Sequence, residues 1–331
     1  MTAATLPMVL TAFSLPLTMG WLDTIAGEAN PQPADWRKLI AIARDEGLAG
    51  IEMPLRDVDP GELRSALAEE NLRIIVDIGS LTEAPEEQLL ADLQTAAALG
   101  ARITRTTLSR VLCGERGKLE GGWKARMDLA ADRLRKLLPV AEGLGLCIAI
   151  ENHQDAAVED LLRLFDVSGQ STSYGVTLDT GNPLAVGQDP VITARQLAPV
   201  IRHLHMKDYT LHFCPEGYRL VRCAAGDGVI NFRAIREALR TSEHALLPGV
   251  ELAAQATRTI PMIDPAWWEE FAPRSVPQFL PVLQLLWSSG RPMLEPYGSV
   301  WERGGSAAAV AADEEALTLQ SIRWFKDHGG W

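Results

Sequence analysis

Four residues of this 331-residue sequence stand where side-chain chemistry can be delivered: Glu151, Asp179, His205 and Glu251. Each ends a short apolar run, respectively residues 146–150, 174–178, 201–204 and 247–250. An apolar run that stops in a polar side chain is the pattern of a buried parallel strand presenting a functional group at its C-terminal end. A lone Glu at a strand end is commonly a solvated residue, and a lone His in an apolar strand a satisfied core residue. Four such ends in order are a different matter. Three carboxylates and one imidazole suit a divalent metal, Mn²⁺, Mg²⁺, Co²⁺ or Zn²⁺. The three hard oxygen donors favour Mn²⁺ or Mg²⁺ over zinc, and Mn²⁺ is the ion expected. Such an ion would polarise a carbonyl or alkoxide and acidify the adjacent C–H.

Several neighbours bear on that chemistry. His153 lies two residues past Glu151, so on an extended strand end it points to the same side. A neutral imidazole there is either a general base or a loop histidine supporting the cluster. Lys207 either stabilises an enolate or pairs with Asp208. Arg102 and Arg105, in one predicted strand, either hold a substrate oxygen or anion or are salt-bridged in the wall. Glu52 ends another apolar run and is a weaker candidate.

The elements needed to bring these residues together can be read along the chain. Strands are expected at 8–13, 48–53, 72–78, 101–107, 146–151, 174–178, 201–206 and 246–252. Helices are expected at about 35–46, 60–70, 86–99, 123–144, 158–165, 190–197 and 232–241. Eight strands alternating with helices predict an α/β fold, a (β/α)₈ TIM barrel. A doubly wound sheet is disfavoured because no glycine-rich phosphate turn follows the first strand. The barrel is expected over residues 1–255. Residues 256–331 form an extension rich in proline and tryptophan (Trp267, Trp268, Trp287) with a final helix at 313–325. Exposed tryptophans are costly unless they cover something, so this extension packs on its own barrel or on another subunit.

Composition narrows the function classes. The net charge of -12 argues against nucleic acid and against anionic membrane surfaces as partners. Four cysteines at 113, 147, 214 and 223 include no CxxC pair, and reduced thiols in the cytoplasm are expected. The apolar start has no Lys or Arg before Arg37 and is expected to be a strand, not a secretory signal. No run reaches the ~18 apolar residues of a membrane span.

The ordered motifs 150-IENH-153, 178-LDTGN-182, 203-HLHMKD-208, 226-GDGVINF-232 and 250-VEL-252 resemble those of the xylose-isomerase-like barrels, the sugar phosphate isomerase/epimerase superfamily. The resemblance covers about residues 5–255. It implies that His205, not His203, completes the metal set with Glu151, Asp179 and Glu251. It also implies that the two glutamates exchange a substrate proton, as in the ketose 3-epimerases. Those epimerases bind substrate through a His three residues after the metal Asp, where this chain has Asn182, and carry an Arg six residues after the metal His, where it has Leu211. The departures point away from simple epimerisation. The sequence also resembles the larger subunit of C-glycoside deglycosidases, which cleave 3-oxo-C-glycosides by elimination. That resemblance implies a lyase with a sugar or glycoside substrate; the catalytic candidates are His153, Glu151, Glu251 and Lys207, and the candidates for binding substrate are Arg102 and Asn182. It further implies an oligomer or a smaller β subunit. A sugar isomerase, an epimerase and an inosose dehydratase are the alternatives. An abasic-site endonuclease is disfavoured by six histidines in all and the acidic charge. A non-catalytic barrel is disfavoured by the intact four-residue set.

Overall fold

A computed structural model describes residues 8–242, 244–292 and 298–328. Eight parallel strands close into a barrel. The chain runs β1 (Val9–Thr11), α1 (Trp36–Asp45), β2 (Gly50–Pro54), α2 (Pro60–Glu69), β3 (Arg73–Ser80), α3 (Glu86–Ala98), β4 (Ile103–Thr107) and α4 (Gly122–Leu144). It continues through β5 (Cys147–Glu151), α5 (Val158–Val167), β6 (Tyr174–Asp179), α6 (Pro190–Leu197) and β7 (Ile201–Met206). A hairpin follows, β8 (Tyr209–Cys214) and β9 (Gly217–Arg222). The remainder is α7 (Phe232–Ala238), β10 (Leu247–Val250), β11 (Arg258–Ile260), α8 (Val276–Ser289) and α9 (Ala307–His328).

Local sequence explains these elements. β2 and β6 are buried along their whole length, as strands covered on both faces must be. Asp35, Asp59 and Asp189 each accept a backbone N–H in the first turn of α1, α2 and α6, and Pro60 and Pro190 open the latter two. The first strand is shorter than 8–13 because Ala12–Ser14 form a 3₁₀ turn. Around the barrel β10 lies between β1 and β7, so the ends of β5, β6, β7 and β10 are consecutive on one rim.

Three elements were not expected from the sequence. The β8–β9 hairpin rises from the rim after β7, and β11 adds to it antiparallel, Arg258 facing Leu220. The loop after this hairpin is held by Asp208, whose carboxylate accepts the backbone N–H groups of Tyr209, Gly226, Gly228 and Ile230 at 2.9–3.1 Å. A Cβ at Gly228 would fall 2.1 Å from Asp208 Oδ1, so the glycine of the 226–232 motif is required for close approach. α8 is the third. Its capping box, Ser275 with Gln278, and its prolines at the start and at Pro281 read as loop in the sequence. α9 begins earlier than expected and packs Ile322 and Phe325 into the core beside Phe232.

The extension touches both the barrel and solvent. Trp267 donates its indole N–H to Cys113 O (2.8 Å), and Phe271 lies 4.1 Å from the Arg116 guanidinium. Trp287 on α8 is 89% exposed. No helix among the described residues is long and apolar enough to cross a membrane.

Candidate metal centre and substrate cavity

Glu151, Asp179, His205 and Glu251 converge. One ligand atom from each lies within 4.8 Å of all the others, and all four residues are buried. β5, β6, β7 and β10 supply them, as adjacency on the rim requires. Each side chain is oriented by a partner. Glu151 Oε1 accepts the Asn182 amide at 2.8 Å, and its other oxygen pairs with Arg105. Asp179 Oδ1 accepts the N–H groups of Gly181 (2.8 Å) and Asn182 (2.9 Å), and Asn152 holds the Asp179 backbone at both N and O. This leaves Asp179 Oδ2 directed at the cluster.

His205 faces two ways. Its Nε2 lies 2.8 and 3.0 Å from the oxygens of Glu52, and its Nδ1 lies 2.5 Å from Glu251 Oε2. An Nε2–H donated to Glu52 leaves the Nδ1 lone pair for a cation, the arrangement that second carboxylates impose on metal-binding imidazoles. Glu52 is in turn 2.8 Å from His203 Nε2, whose Nδ1 lies 2.5 Å from Leu247 O. His203 is thus two bonds removed from the cluster.

Asp179 Oδ2, His205 Nδ1 and Glu251 Oε2 are buried and form no hydrogen bond of good geometry, although Lys207 Nζ lies 2.7 Å from Asp179 Oδ2 and His205 Nδ1 lies 2.5 Å from Glu251 Oε2. Buried polar atoms are nearly always satisfied, so three convergent lone-pair atoms fit a bound cation. Lys207 Nζ bridges two of these carboxylates, 2.7 Å from Asp179 and 3.1 Å from Glu251. Burial works against its charge, but the two carboxylates raise its pKa well above the ordinary lysine value. Burial likewise opposes a charge on Glu52, yet His205 and His203 hold its carboxyl well below the usual range. Burial raises Asp77 despite its ion pair with Arg105.

A cavity of about 620 Å³ opens above the cluster. His153, Lys207, Glu251 and Arg105 line it. His153 Nδ1 is buried without a hydrogen bond. Burial, then Arg105 and Lys207, push the His153 pKa down to about 3, so the ring is neutral at ordinary pH. Asn182 lies beneath, buried against Glu151, and contacts the cluster instead of the cavity. Arg102 is a correction: it is exposed, and its guanidinium approaches Gly145, at the end of α4 that leads into the start of β5, away from the cavity. Alternation explains the difference. Arg105, three residues on, points inward where Arg102 points out. Leu211, at the epimerase arginine position, is fully buried in β8. Glu52 was underrated by the sequence, where a single carboxylate in an apolar run gives no sign of its two imidazole partners. Arg258 was missed because β11 was not foreseen.

Comparison with known proteins follows the same lines. An uncharacterised protein of Escherichia coli (strain K12), YihM, is 26% identical over 239 residues, 70% of this chain and 67% of that one. The 3-oxo-isoapionate decarboxylase of Pectobacterium atrosepticum is 26% identical over 185 residues, 53% of this chain and 62% of that enzyme. The 3-dehydroshikimate dehydratase of Bacillus anthracis is 24% identical over 163 residues, 44% of this chain and 57% of the enzyme. Both matches to these enzymes thus span less than two thirds of their length. A xylose isomerase-like TIM barrel protein of Mycobacterium smegmatis in complex with magnesium shares the fold at a TM-score of 0.58 and 20% identity, over 86% of this chain and 98% of that one. An L-ribulose 3-epimerase does so at 0.57 and 18%, over 98% and 96%. Two of these relatives are named as enzymes, and the family model for the xylose isomerase-like TIM barrel matches residues 40–260. The chain belongs to the xylose isomerase-like TIM barrel family.

Proposed function

We propose that this chain is a metal-dependent lyase that abstracts a proton next to the carbonyl of a keto-sugar, with a 3-oxo-C-glycoside as the substrate. Glu151, Asp179, His205 and Glu251 would hold the divalent ion, with Mn²⁺ favoured. When bound, that ion supplies positive charge to a carbonyl oxygen and makes the neighbouring C–H more acidic.

The chain's own residues do the rest. The observation that carries the reading is His153, a neutral ring on the cavity wall with an unpartnered nitrogen beside Glu251 and Lys207. The C2 proton passes to this ring. Its electron pair forms the C1–C2 double bond while the bond from C1 to the aglycone breaks, and the departing carbon takes up a proton. Lys207, held charged by Asp179 and Glu251, faces the oxygen on which negative charge develops. Asn182 holds Glu151 in place and Arg105 neutralises it. Asn182 and Leu211 remove the two substrate contacts expected of a ketose 3-epimerase. The relative named for dehydration also favours bond breaking after proton removal.

A smaller subunit or a second copy would sit on α8. There Val276, Leu280, Leu283 and Trp287 form an exposed apolar stripe, and the helix has no charged residue. Incubation of the Mn²⁺-loaded protein with a 3-oxo-C-glycoside, and separately with a ketose panel, tests the reading. Released aglycone is expected; epimerised ketose with no aglycone would replace elimination by isomerisation.

A further inference from the structure

The cavity is lined by Arg56, Arg105, Arg110, Lys207 and Arg258, against the carboxylates of Asp77 and Glu251. In a chain of net charge -12, this is a local inversion of sign. Most of these cations are already engaged. Arg105 pairs with Asp77 and Glu151, Lys207 with Asp179 and Glu251, and Arg110 reaches Glu83 at 3.5 Å.

Arg258 is different. It is half-buried, its Nε is buried without a hydrogen bond, and it forms no ion pair among the described residues. Its position is not that of a loose surface chain. β11 pairs Arg258 with Leu220, so the backbone fixes where this side chain leaves the sheet, and the residue lines the cavity. A charged N–H group withdrawn from water without an acceptor costs free energy, which a bound anion recovers. Its planar fork matches a carboxylate bidentately and engages a phosphate in the same way. Arg56, exposed in the loop after β2, adds a second cation to the same cavity. Trp21 and Trp301 line it as well and offer flat apolar faces to a sugar ring.

We propose that Arg258, assisted by Arg56, is an oxyanion subsite, and that the sugar taken by this cavity carries a negatively charged substituent remote from the carbon held over the cluster. One fixed guanidinium fork favours a carboxylate, hence a sugar acid, over a phosphate. The inference rests on reading the cluster as a metal-dependent sugar site and deepens that reading.

Calorimetric titration of the Mn²⁺-loaded protein with D-glucuronate, D-glucose 6-phosphate and D-glucose tests it. Glucuronate is expected to bind about 10-fold more tightly than glucose, with the preference shrinking as salt rises. Arg258→Gln should abolish the preference, and Arg258→Lys should restore part of it, with metal content and Tm of both variants at the wild-type values. Arg56→Gln, exposed and outside the core, should weaken the preference without risk to folding. A preference for the phosphate over the uronate supports the subsite and assigns the anion to a sugar phosphate. Equal binding of glucose and glucuronate, an undiminished preference in Arg258→Gln, or no binding of any probe overturns it. Metal content separates the levels: a protein that holds Mn²⁺ and binds both sugars equally loses only the subsite, whereas one that holds no divalent ion loses the underlying reading too.

Discussion

Glu52 of β2 and His205 of β7 come from different sides of the barrel and meet in its interior, with Glu52 Oε2 2.8 Å from His205 Nε2. The contact fixes which imidazole nitrogen faces Glu151 and Glu251. Glu52→Gln keeps the shape but offers an amide that can donate to Nε2, which favours the wrong tautomer. Mn²⁺ affinity of the apo protein is expected to fall about 10–100-fold with the fold retained. An unchanged affinity in a competition titration with a chelator would remove Glu52 from this role.

Glu151→Gln and Glu251→Gln each remove one anionic donor from the cluster. Both variants should lose bound metal, measured by elemental analysis after dialysis, together with activity. Glu151→Gln also leaves Arg105 with one carboxylate fewer in a buried setting, so a lower Tm is expected for it as well. Wild-type metal content in both variants would sink the site.

His153→Ala deletes a cavity-lining ring that donates to nothing in the cluster. It should keep wild-type metal content and lose about 10²–10⁴-fold in kcat, the range for removal of a positioned base. Undiminished turnover would exclude the ring as the proton acceptor.

Acidic and neutral pH should differ in stability through Asp155. Its carboxylate is buried, accepts Ser109 N at 3.0 Å and Ser109 Oγ at 2.5 Å, and has Oδ1 without a partner. Burial pushes its pKa up to about 7, above an ordinary value of 3.8. Between those values the folded state holds a proton that the unfolded state has released. The contribution is therefore complete below about pH 4 and is lost as pH rises through about 7, at roughly 1.4 kcal/mol per unit of displacement. Asp155→Asn, which stays neutral, should flatten the fall in Tm between pH 5 and pH 8. A slope equal to that of the wild type would show that Asp155 does not carry it.

The barrel was legible because its strands are apolar runs between glycine-punctuated helices. α6 and β7 fall where the spacing places them, and the four cluster residues sit at strand ends that the alternation identifies. The hairpin was not legible. Tyr209–Cys214 and Gly217–Arg222 lie between two barrel elements, where the pattern calls only for a loop, and their partner β11 is remote in sequence. α8 was hidden because its prolines occupy positions that a helix tolerates but a periodicity scan reads as breaks. Arg102 and Arg105 could not be separated by composition, since which one faces inward depends on the strand register. Glu52 depended on a contact across the barrel, which no local pattern encodes.

Glu314 of α9 accepts the backbone N–H groups of Leu17 and Thr18, both at 3.0 Å, across 297 and 296 residues of chain. The stretch after β1 is therefore clasped by α9. A ribosome-bound chain that has not released α9 has no Glu314 carboxylate for those amides. A chain that lacks α9 still carries β1 and β10 for the closing strand pair, but the stretch after β1 loses the carboxylate that holds its amides.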